Sequence, residues 1–147
     1  MFALWRKIAN VGVRHGVWGE RAAACALRHK GYAILARNIR PVERDKRLEI
    51  DIVAYEPCCR TVVFVEVKQH ARPKEGQSRL RSVDARKFRL LRRACRAWLR
   101  LNRWQGAYRF DVMEVYGRPD SGVPPRIDHI ERVRLFTSRE TFVDWAD

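Results

Sequence analysis

The sequence predicts an α/β protein with a central mixed β-sheet that is flanked by helices. Its 147 residues are 46% hydrophobic and 33% charged, which is enough apolar material for one core and too much for a disordered chain. Segments rich in β-branched residues lie between two segments whose apolar residues recur at helical spacing. No repeat or linker interrupts them, so we expect residues 1–147 to form one domain with a core over about 16–116.

The first half of the chain predicts a helix followed by three strands. An alanine-rich segment at 18–30 favours a helix that ends at Gly31. Because the turn-like segment 56–60 is short, the second and third strands are expected to pair as an antiparallel hairpin. The three strands are predicted over 32–37, 48–55 and 61–69.

The second half predicts a long helix, a strand and a C-terminal extension. Ser82 is the expected N-cap of the helix, and the strand follows over 108–116. The extension, 126–147, is expected to begin as an edge strand and to close with a short helix capped by Thr137 and Glu140. The element order is therefore αβββαβ with additions, an arrangement in which helices cover a mixed sheet.

The charge of the chain is strongly unbalanced towards basic residues. Thirty-one Lys and Arg residues against 17 Asp and Glu residues give a formal charge of +14, which indicates an anionic partner such as nucleic acid. Ten basic residues and one acid lie within 79–103, so this segment carries a net +9. The alternative is a solvated amphipathic helix without a partner. The predicted phosphate contacts are Arg86, Lys87, Arg89, Arg92, Arg93, Arg96 and Arg100.

The cysteine pattern and the hydropathy favour a cytoplasmic protein without a membrane partner. The four cysteines lack the spacing of a zinc motif, and two of them, Cys58 and Cys59, are adjacent, which is unsuited to an ordinary disulfide framework. The pattern therefore indicates a reducing compartment. The longest clean apolar run, 62–65, is far shorter than the ~18 residues of a membrane helix.

Four charged residues fall on two strands that are expected to be neighbours. Since side chains alternate across a strand, Glu49 and Asp51 share one face, and Glu66 shares a face with Lys68. Charges inside such strands are costly to bury unless they are paired or bound to metal. If the hairpin brings Asp51 beside Glu66, the two carboxylates suit Mg²⁺ or Mn²⁺. Lys68 would then hold the attacking water and stabilise the charge of a phosphate.

Two residues on the helices are candidates for the same cluster. Glu20 lies on the core-facing stripe of the first helix and is a plausible fourth member. Lys87 lies on the inward stripe of the second helix, where it points either to the carboxylates or to the helix edge. A structural alternative for the whole cluster is a solvated sheet face, on which Asp51 and Glu66 pair with Lys68 and nearby arginines.

Two other polar positions call for an interpretation. Arg109 and Asp111 alternate with apolar neighbours and share a strand face, so the pattern favours a salt bridge between them. His70 lies two residues beyond Lys68 on the same face and is a candidate for lining the site.

At these residues the sequence resembles a PD-(D/E)xK nuclease of the restriction-endonuclease-like superfamily. More closely, it resembles the YraN-like family of small bacterial proteins, which is related to archaeal-type Holliday junction resolvases. The resemblance runs in order over about residues 16–115. The matching segments are Gly19-Glu20, Gly31-Tyr32, Arg37-Asn38, Glu49-Ile50-Asp51, Phe64-Val65-Glu66-Val67-Lys68, Val83 with Lys87, and Arg109-Phe110-Asp111-Val112.

The resemblance implies a fold and a chemistry. The implied fold is a restriction-endonuclease-like αβββαβ core, and the implied activity is Mg²⁺-dependent nuclease activity. Asp51, Glu66 and Lys68 correspond to the catalytic residues, with Asp51 and Glu66 as metal ligands and Glu20 as an auxiliary acid. The resemblance to resolvases also implies a homodimer, since a four-way junction needs two cuts, although no residue pattern identifies an interface.

The sequence therefore predicts a metal-dependent endonuclease that hydrolyses DNA phosphodiester bonds, with branched or structured DNA as the expected substrate. The alternative is a nucleic-acid-binding protein of the same fold with weak or no activity. The intact set of Asp51, Glu66 and Lys68 favours the enzyme, because a binding protein has no physical need for it.

Overall fold

The computed structural model describes residues 17–71 and 85–136. The predicted helix caps at Ser82, Thr137 and Glu140 lie outside these residues. The described part contains two helices and five strands, and it confirms the predicted α/β class with a mixed sheet, consistent with a restriction-endonuclease-like core. The elements are α1 (Val17–His29), β1 (Ala33–Ile39), β2 (Ile50–Glu56), β3 (Thr61–His70), α2 (Ala85–Leu101), β4 (Ala107–Tyr116) and β5 (Arg126–Ile130).

The strands lie in the sheet in their sequence order. β1, β2 and β3 form an antiparallel meander, and the predicted hairpin of β2 and β3 is confirmed. A single 3₁₀ turn, Pro57–Cys59, makes the connection, and Arg60 follows it in the left-handed region at φ 51°. β4 runs parallel to β3 and β5 antiparallel to β4. A parallel neighbour needs a crossover connection, and α2 lies in the one between β3 and β4.

The two helices belong to different hydrophobic clusters, one on each face of the sheet. α1 contributes Ala23, Ala24 and Leu27 to the cluster that contains Val63 and Val65 of β3. α2 contributes residues to the other cluster, where Phe64 packs edge-on against Trp98 with ring centroids 5.6 Å apart. Because consecutive residues of β3 point to opposite faces, this strand is buried on both sides. A charged residue in β3 therefore lies close to a core.

A glycine allows α1 to approach the end of β3. A Cβ atom at Gly19 would lie 2.7 Å from the Oε1 atom of Gln69, which is closer than real Cβ contacts. Only glycine avoids this contact without a shift of the glutamine side chain. The next residue, Glu20, is thereby held near the same end of the sheet as Glu66 and Lys68. Neither helix of the described residues is long and apolar enough to span a membrane.

Candidate active site

Two carboxyl groups meet where β2 runs beside β3. The pairing of Ile52 with Val65 sets Asp51 beside Glu66, on the face that α2 covers. The backbone N–H of Val67 donates a 2.8 Å hydrogen bond to the Oδ2 atom of Asp51. Burial raises the pKa of Asp51 well above its ordinary value, and the negative charge of Glu66 and a hydrogen bond between the two carboxyl groups raise it further. The predicted convergence of Asp51 and Glu66 is therefore present.

Two lysines contact the carboxylate of Glu66. The Nζ atom of Lys87 lies 2.5 Å from Oε1 of Glu66, and the Nζ atom of Lys68 lies 3.6 Å from the same oxygen. Burial and the neighbouring Lys87 lower the pKa of Lys68. Burial also acts to lower the pKa of Lys87, but the charge of Glu66 outweighs it and the pKa is raised. Of the two orientations predicted for Lys87, the structure has the one towards the carboxylates.

Asp51, Glu66 and Lys87 line an open cavity of about 400 Å³ between the sheet and α2, and Lys68 lies beside it. Its charged lining comes from the loop before β2, from both strands and from the helix. Arg47 at this cavity was not identified from the sequence, since no pattern distinguishes it from the other basic residues of its loop. The lining residues are Arg47, Glu49, Asp51, Glu66, Lys87, Leu90 and Leu91.

Glu20 is buried near the acid pair without lining the cavity. Its side chain is among the buried charged residues, at 8% relative exposure. Burial raises its pKa, a hydrogen bond to Asn38 lowers it, and the negative charges of Glu49 and Glu66 add to the rise. Glu20 is therefore close enough to influence the cluster through its charge.

A third buried acid, Glu114, was not predicted. It lies beside Lys68 in the parallel register of β3 and β4 and is 1% exposed. The hydroxyl of Tyr116 donates a 2.8 Å hydrogen bond to Glu114, and Nε2 of His70 lies 3.7 Å from it. His70 therefore lies on the predicted face, next to this acid. Strand alternation in the sequence could have identified Glu114 as buried, because it places Glu114 on the same face as the buried Phe110.

Five of the six arginines of α2 form a single stripe on the face opposite the core. They recur at alternating intervals of three and four residues, which places them on one side of a helix. Four are exposed and Arg96 is half-buried. Arg92 lies off the stripe, and its Nε atom donates a 2.8 Å hydrogen bond to the carbonyl of Leu135. The stripe consists of Arg86, Arg89, Arg93, Arg96 and Arg100.

Comparison with known proteins identifies the family of this chain. Residues 19–115 match the sequence model of the uncharacterised protein family UPF0102. The chain belongs to the UPF0102 family. The match covers Glu20, the two carboxylates, both lysines and the arginine stripe, so the whole candidate site lies within the part shared with UPF0102 proteins.

Three relatives indicate how far the UPF0102 similarity extends. A UPF0102 protein from Mycobacterium tuberculosis is 38% identical over 125 residues, which are 82% of this chain and 92% of that protein. One from Desulfosudis oleivorans is 40% identical over 114 residues, 76% of this chain and 86% of its own length. One from Rhodopirellula baltica is 37% identical over 114 residues, 77% of this chain. The alignment spans only 65% of that last relative.

Elsewhere in this UPF0102 chain, the predicted salt bridge between Arg109 and Asp111 is confirmed. The side chain of Asp111 is fully buried, and Nε of Arg109 lies 3.0 Å from it. The Nε2 atom of His129 and the backbone N–H of Arg132 also contact Asp111, at 2.8 and 2.9 Å. Burial acts to raise the pKa of Asp111, but the hydrogen bonds from His129 and Arg109 lower it.

The described residues contain two groups of three side chains that could hold a metal ion, and neither includes Asp51 or Glu66. The first is Asp111, His129 and Glu131. Hydrogen bonds from Arg109, His129 and Arg132 already satisfy the carboxylate of Asp111. This group therefore links β4 to β5. The second group is Glu56, Cys58 and Cys59, in the turn between β2 and β3.

Proposed function

We propose that this protein is a metal-dependent endonuclease that hydrolyses phosphodiester bonds of DNA. The observation that carries the proposal is the convergence of Asp51, Glu66 and Lys68 on one face of adjacent strands, beside an open cavity. The same residues carry the resemblance to YraN-like proteins and PD-(D/E)xK nucleases. They supply the acids and the cation that hydrolysis of a phosphodiester requires.

The proposed metal ligands are Asp51 and Glu66, and the proposed ion is Mg²⁺ or Mn²⁺. Burial raises the pKa of Asp51, and repulsion between the adjacent carboxylates of Asp51 and Glu66 raises it further. A divalent cation would remove the repulsion, and hard cations prefer carboxylate oxygens. When bound, such an ion supplies positive charge for the phosphate oxygens and acidifies water.

The remaining residues of the cavity bind and orient the substrate. Lys68 is half-buried next to Glu66, at the edge of the cavity, and its proposed role is to hold the attacking water. Arg47, whose side chain is 57% exposed, lines the same cavity and is available to a phosphate group. Glu20 acts through its charge, as an auxiliary acid close to the pair.

The arginine stripe of α2 is the proposed DNA-binding surface. Its residues can contact several phosphates at once, which gives salt-dependent binding with little sequence preference. Such binding suits a nuclease that selects branched or structured DNA by shape. Arg92 is assigned a structural role instead, since its guanidinium holds the carbonyl of Leu135.

The cellular setting belongs to the same proposal. We assign the activity to the cytoplasm, where DNA is accessible in bacteria and thiols such as those of Cys58 and Cys59 stay reduced. A homodimer would supply the two cuts that a four-way junction requires.

One observation favours a second candidate, a DNA-binding protein without activity. The ammonium of Lys87 lies 2.5 Å from Glu66 and already compensates the charge that a metal ion would neutralise. If Lys87 holds this position permanently, the acid pair is a structural element and the arginine stripe alone carries the function.

The two candidates differ in a cleavage assay. Labelled duplex, single-stranded, flapped and four-way-junction DNA are incubated with the protein and Mg²⁺, Mn²⁺ or EDTA. The nuclease proposal expects cleavage of at least one substrate with metal and none with EDTA. Binding without cleavage under every condition would favour the DNA-binding protein.

Matched variants assign the cleavage to the site. Asp51→Ala removes one proposed metal ligand and is expected to abolish cleavage while DNA binding persists. Asp45→Ala removes a half-buried carboxylate that pairs with Arg47 outside the acid pair, and it should leave metal dependence intact. Equal cleavage by the wild type and Asp51→Ala would assign the activity to a contaminant or to another site.

A further inference from the structure

The turn between β2 and β3 brings one carboxylate and two thiols together. This cluster lies at the far end of the hairpin, away from Asp51 and Glu66. The Sγ atom of Cys59 lies 3.0 Å from Oε2 of Glu56, and the Sγ atom of Cys58 lies 3.5 Å from Oε1. All three ligand atoms lie within 4.8 Å of one another. Adjacent cysteines carry no zinc spacing in the sequence, so only the folded turn reveals the group.

We propose that Glu56, Cys58 and Cys59 form a binding site for a thiophilic divalent cation of the Zn²⁺ type. Thiolates select zinc and related soft or borderline ions over Mg²⁺, so this site and the acid pair would take different metals. Three protein ligands leave a fourth position for water or an incoming ligand.

The ligand spacing fits tetrahedral zinc. With Zn–S near 2.3 Å and Zn–O near 2.0 Å, a thiolate and a carboxylate oxygen of one tetrahedral site lie about 3.5 Å apart. The Cys58 contact already has this separation. The Cys59 contact is to the other carboxylate oxygen, Oε2, so a rotation of the carboxylate and a widening of about half an ångström are needed for one oxygen and both thiolates to bind the ion.

The charge around the cluster also fits a divalent ion. Two thiolates and one carboxylate carry three negative charges, and the ion supplies two positive charges. The guanidinium of Arg109 supplies one more, since its Nη1 atom donates to the Oε2 atom of Glu56. Arg109 is itself held by the buried Asp111, so it fixes the orientation of the carboxylate ligand.

The backbone of the turn is ordered mainly by hydrogen bonds to its carbonyl groups, and the hydroxyl of Thr61 also lies 3.1 Å from Sγ of Cys59. Pro57 begins the 3₁₀ turn, and the N–H of Arg60 donates to the carbonyl of Pro57. The hydroxyl of Thr61 donates to the carbonyl of Cys59 at 3.0 Å. Cys58 is exposed, so an ion can enter from solvent without opening the core.

Cadmium is a suitable probe, because cadmium thiolates absorb in the ultraviolet by charge transfer from sulfur to metal. The reduced full chain, with Cys25→Ser as background to remove the exposed cysteine of α1, is titrated with Cd²⁺. The expected result is a charge-transfer absorption that saturates at one ion per chain and is displaced by Zn²⁺. An absorption that depends on dimer formation in sedimentation would contradict a site within one chain.

Variants of the turn decide the ligand set. Cys58→Ser and Cys59→Ser should each abolish most of the absorption, and Glu56→Gln should weaken Zn²⁺ binding while both thiols remain. Full absorption in both cysteine variants, or none in the background protein, would overturn the proposal. Asp51→Ala should keep the absorption unchanged, so failure here and failure of the proposed nuclease function are separate outcomes.

Discussion

Asp51 shows most directly how the candidate site differs from an ordinary ion pair. It is half-buried, it accepts a hydrogen bond from the N–H of Val67, and a second acid, Glu66, lies beside it. The cations nearby, Lys68 and Lys87, contact Glu66 instead. The negative charge at Asp51 is therefore poorly compensated, which is typical of a functional carboxylate.

Replacing Asp51 by Asn should stabilise the metal-free protein. The amide keeps an acceptor for the Val67 N–H but removes the charge that burial and Glu66 disfavour. Since burial and the charge of Glu66 both disfavour the ionised form of Asp51, we expect a higher free energy of unfolding and a higher Tm for Asp51→Asn than for the wild type. Thermal unfolding in EDTA measures the change.

Asp45→Asn is the matched control at the residue scale. Two hydrogen bonds of 2.9 Å from the guanidinium of Arg47 hold the pKa of Asp45 at about 2, so its charge is favourable and its loss should not raise Tm. A lower Tm for Asp51→Asn than for the wild type would contradict the repulsion that we infer at Asp51.

At the scale of the element, α2 carries two different sets of side chains on two faces. Leu91, Ala94 and Trp98 are buried against the sheet, and Lys87 reaches the acid cavity from the same side. The arginine stripe follows the opposite face. A helix with these two faces fixes the direction in which DNA would lie relative to the cavity, because both features belong to one rigid element.

Reversing two charges of the stripe should weaken DNA binding. Arg89→Glu with Arg93→Glu removes two expected phosphate contacts and adds repulsion. We expect affinity to fall by roughly tenfold or more, and the slope of log affinity against log salt to decrease by about 2. Fluorescence anisotropy with labelled DNA over a range of salt concentrations measures both.

An equal change of charge on α1 is the control. Arg21→Glu with Arg28→Glu alters two exposed arginines on the other side of the sheet, so the total charge changes by the same amount. Equal weakening by both pairs would indicate that the net charge binds DNA and that the stripe has no special role.

At the scale of the whole molecule, Arg109 joins parts of the chain that are distant in sequence. Its guanidinium contacts Glu56 of β2, Tyr32 before β1, and Asp111 of its own strand. His129 of β5 contacts the same Asp111, and its Nδ1 accepts a hydrogen bond from Lys30. His129 therefore connects Lys30, which follows α1, to the buried Asp111.

This network predicts how stability depends on pH. Since the folded protein lowers the pKa of Asp111 from its ordinary 3.8, the carboxylate contributes stability at neutral pH and loses it as pH falls through the lowered value. Asp111→Asn should lower the free energy of unfolding by about 3–5 kcal/mol at neutral pH, because it leaves the charge of Arg109 partly unpaired.

Urea unfolding of both proteins in EDTA, from neutral pH downwards, tests this dependence. The difference in the free energy of unfolding between the wild type and Asp111→Asn should shrink below pH ~3.8. A difference that stays constant or grows on acidification would contradict the lowered pKa of Asp111.

The sequence by itself determined the element order, the mixed sheet and the meeting of Asp51 with Glu66. These follow from periodicity and from a short turn, which act between residues that are near in the chain. The arginine stripe could also be predicted from the sequence, since it depends only on the spacing of residues within one helix. The burial of Glu114 could be predicted from strand alternation too, but a single acidic residue in a strand is weak evidence for a buried site.

Only the tertiary structure decided which charged groups touch. Lys87 had two possible directions, Arg92 was grouped with the stripe, and Cys58 and Cys59 carried no recognisable metal spacing. In each case the outcome depends on side-chain contacts between elements, or on the backbone path of one turn. The physical reason is that the interaction between two charges depends on their separation, on their burial and on screening by solvent. All three are set by how distant segments of the chain pack together, and not by the local sequence pattern.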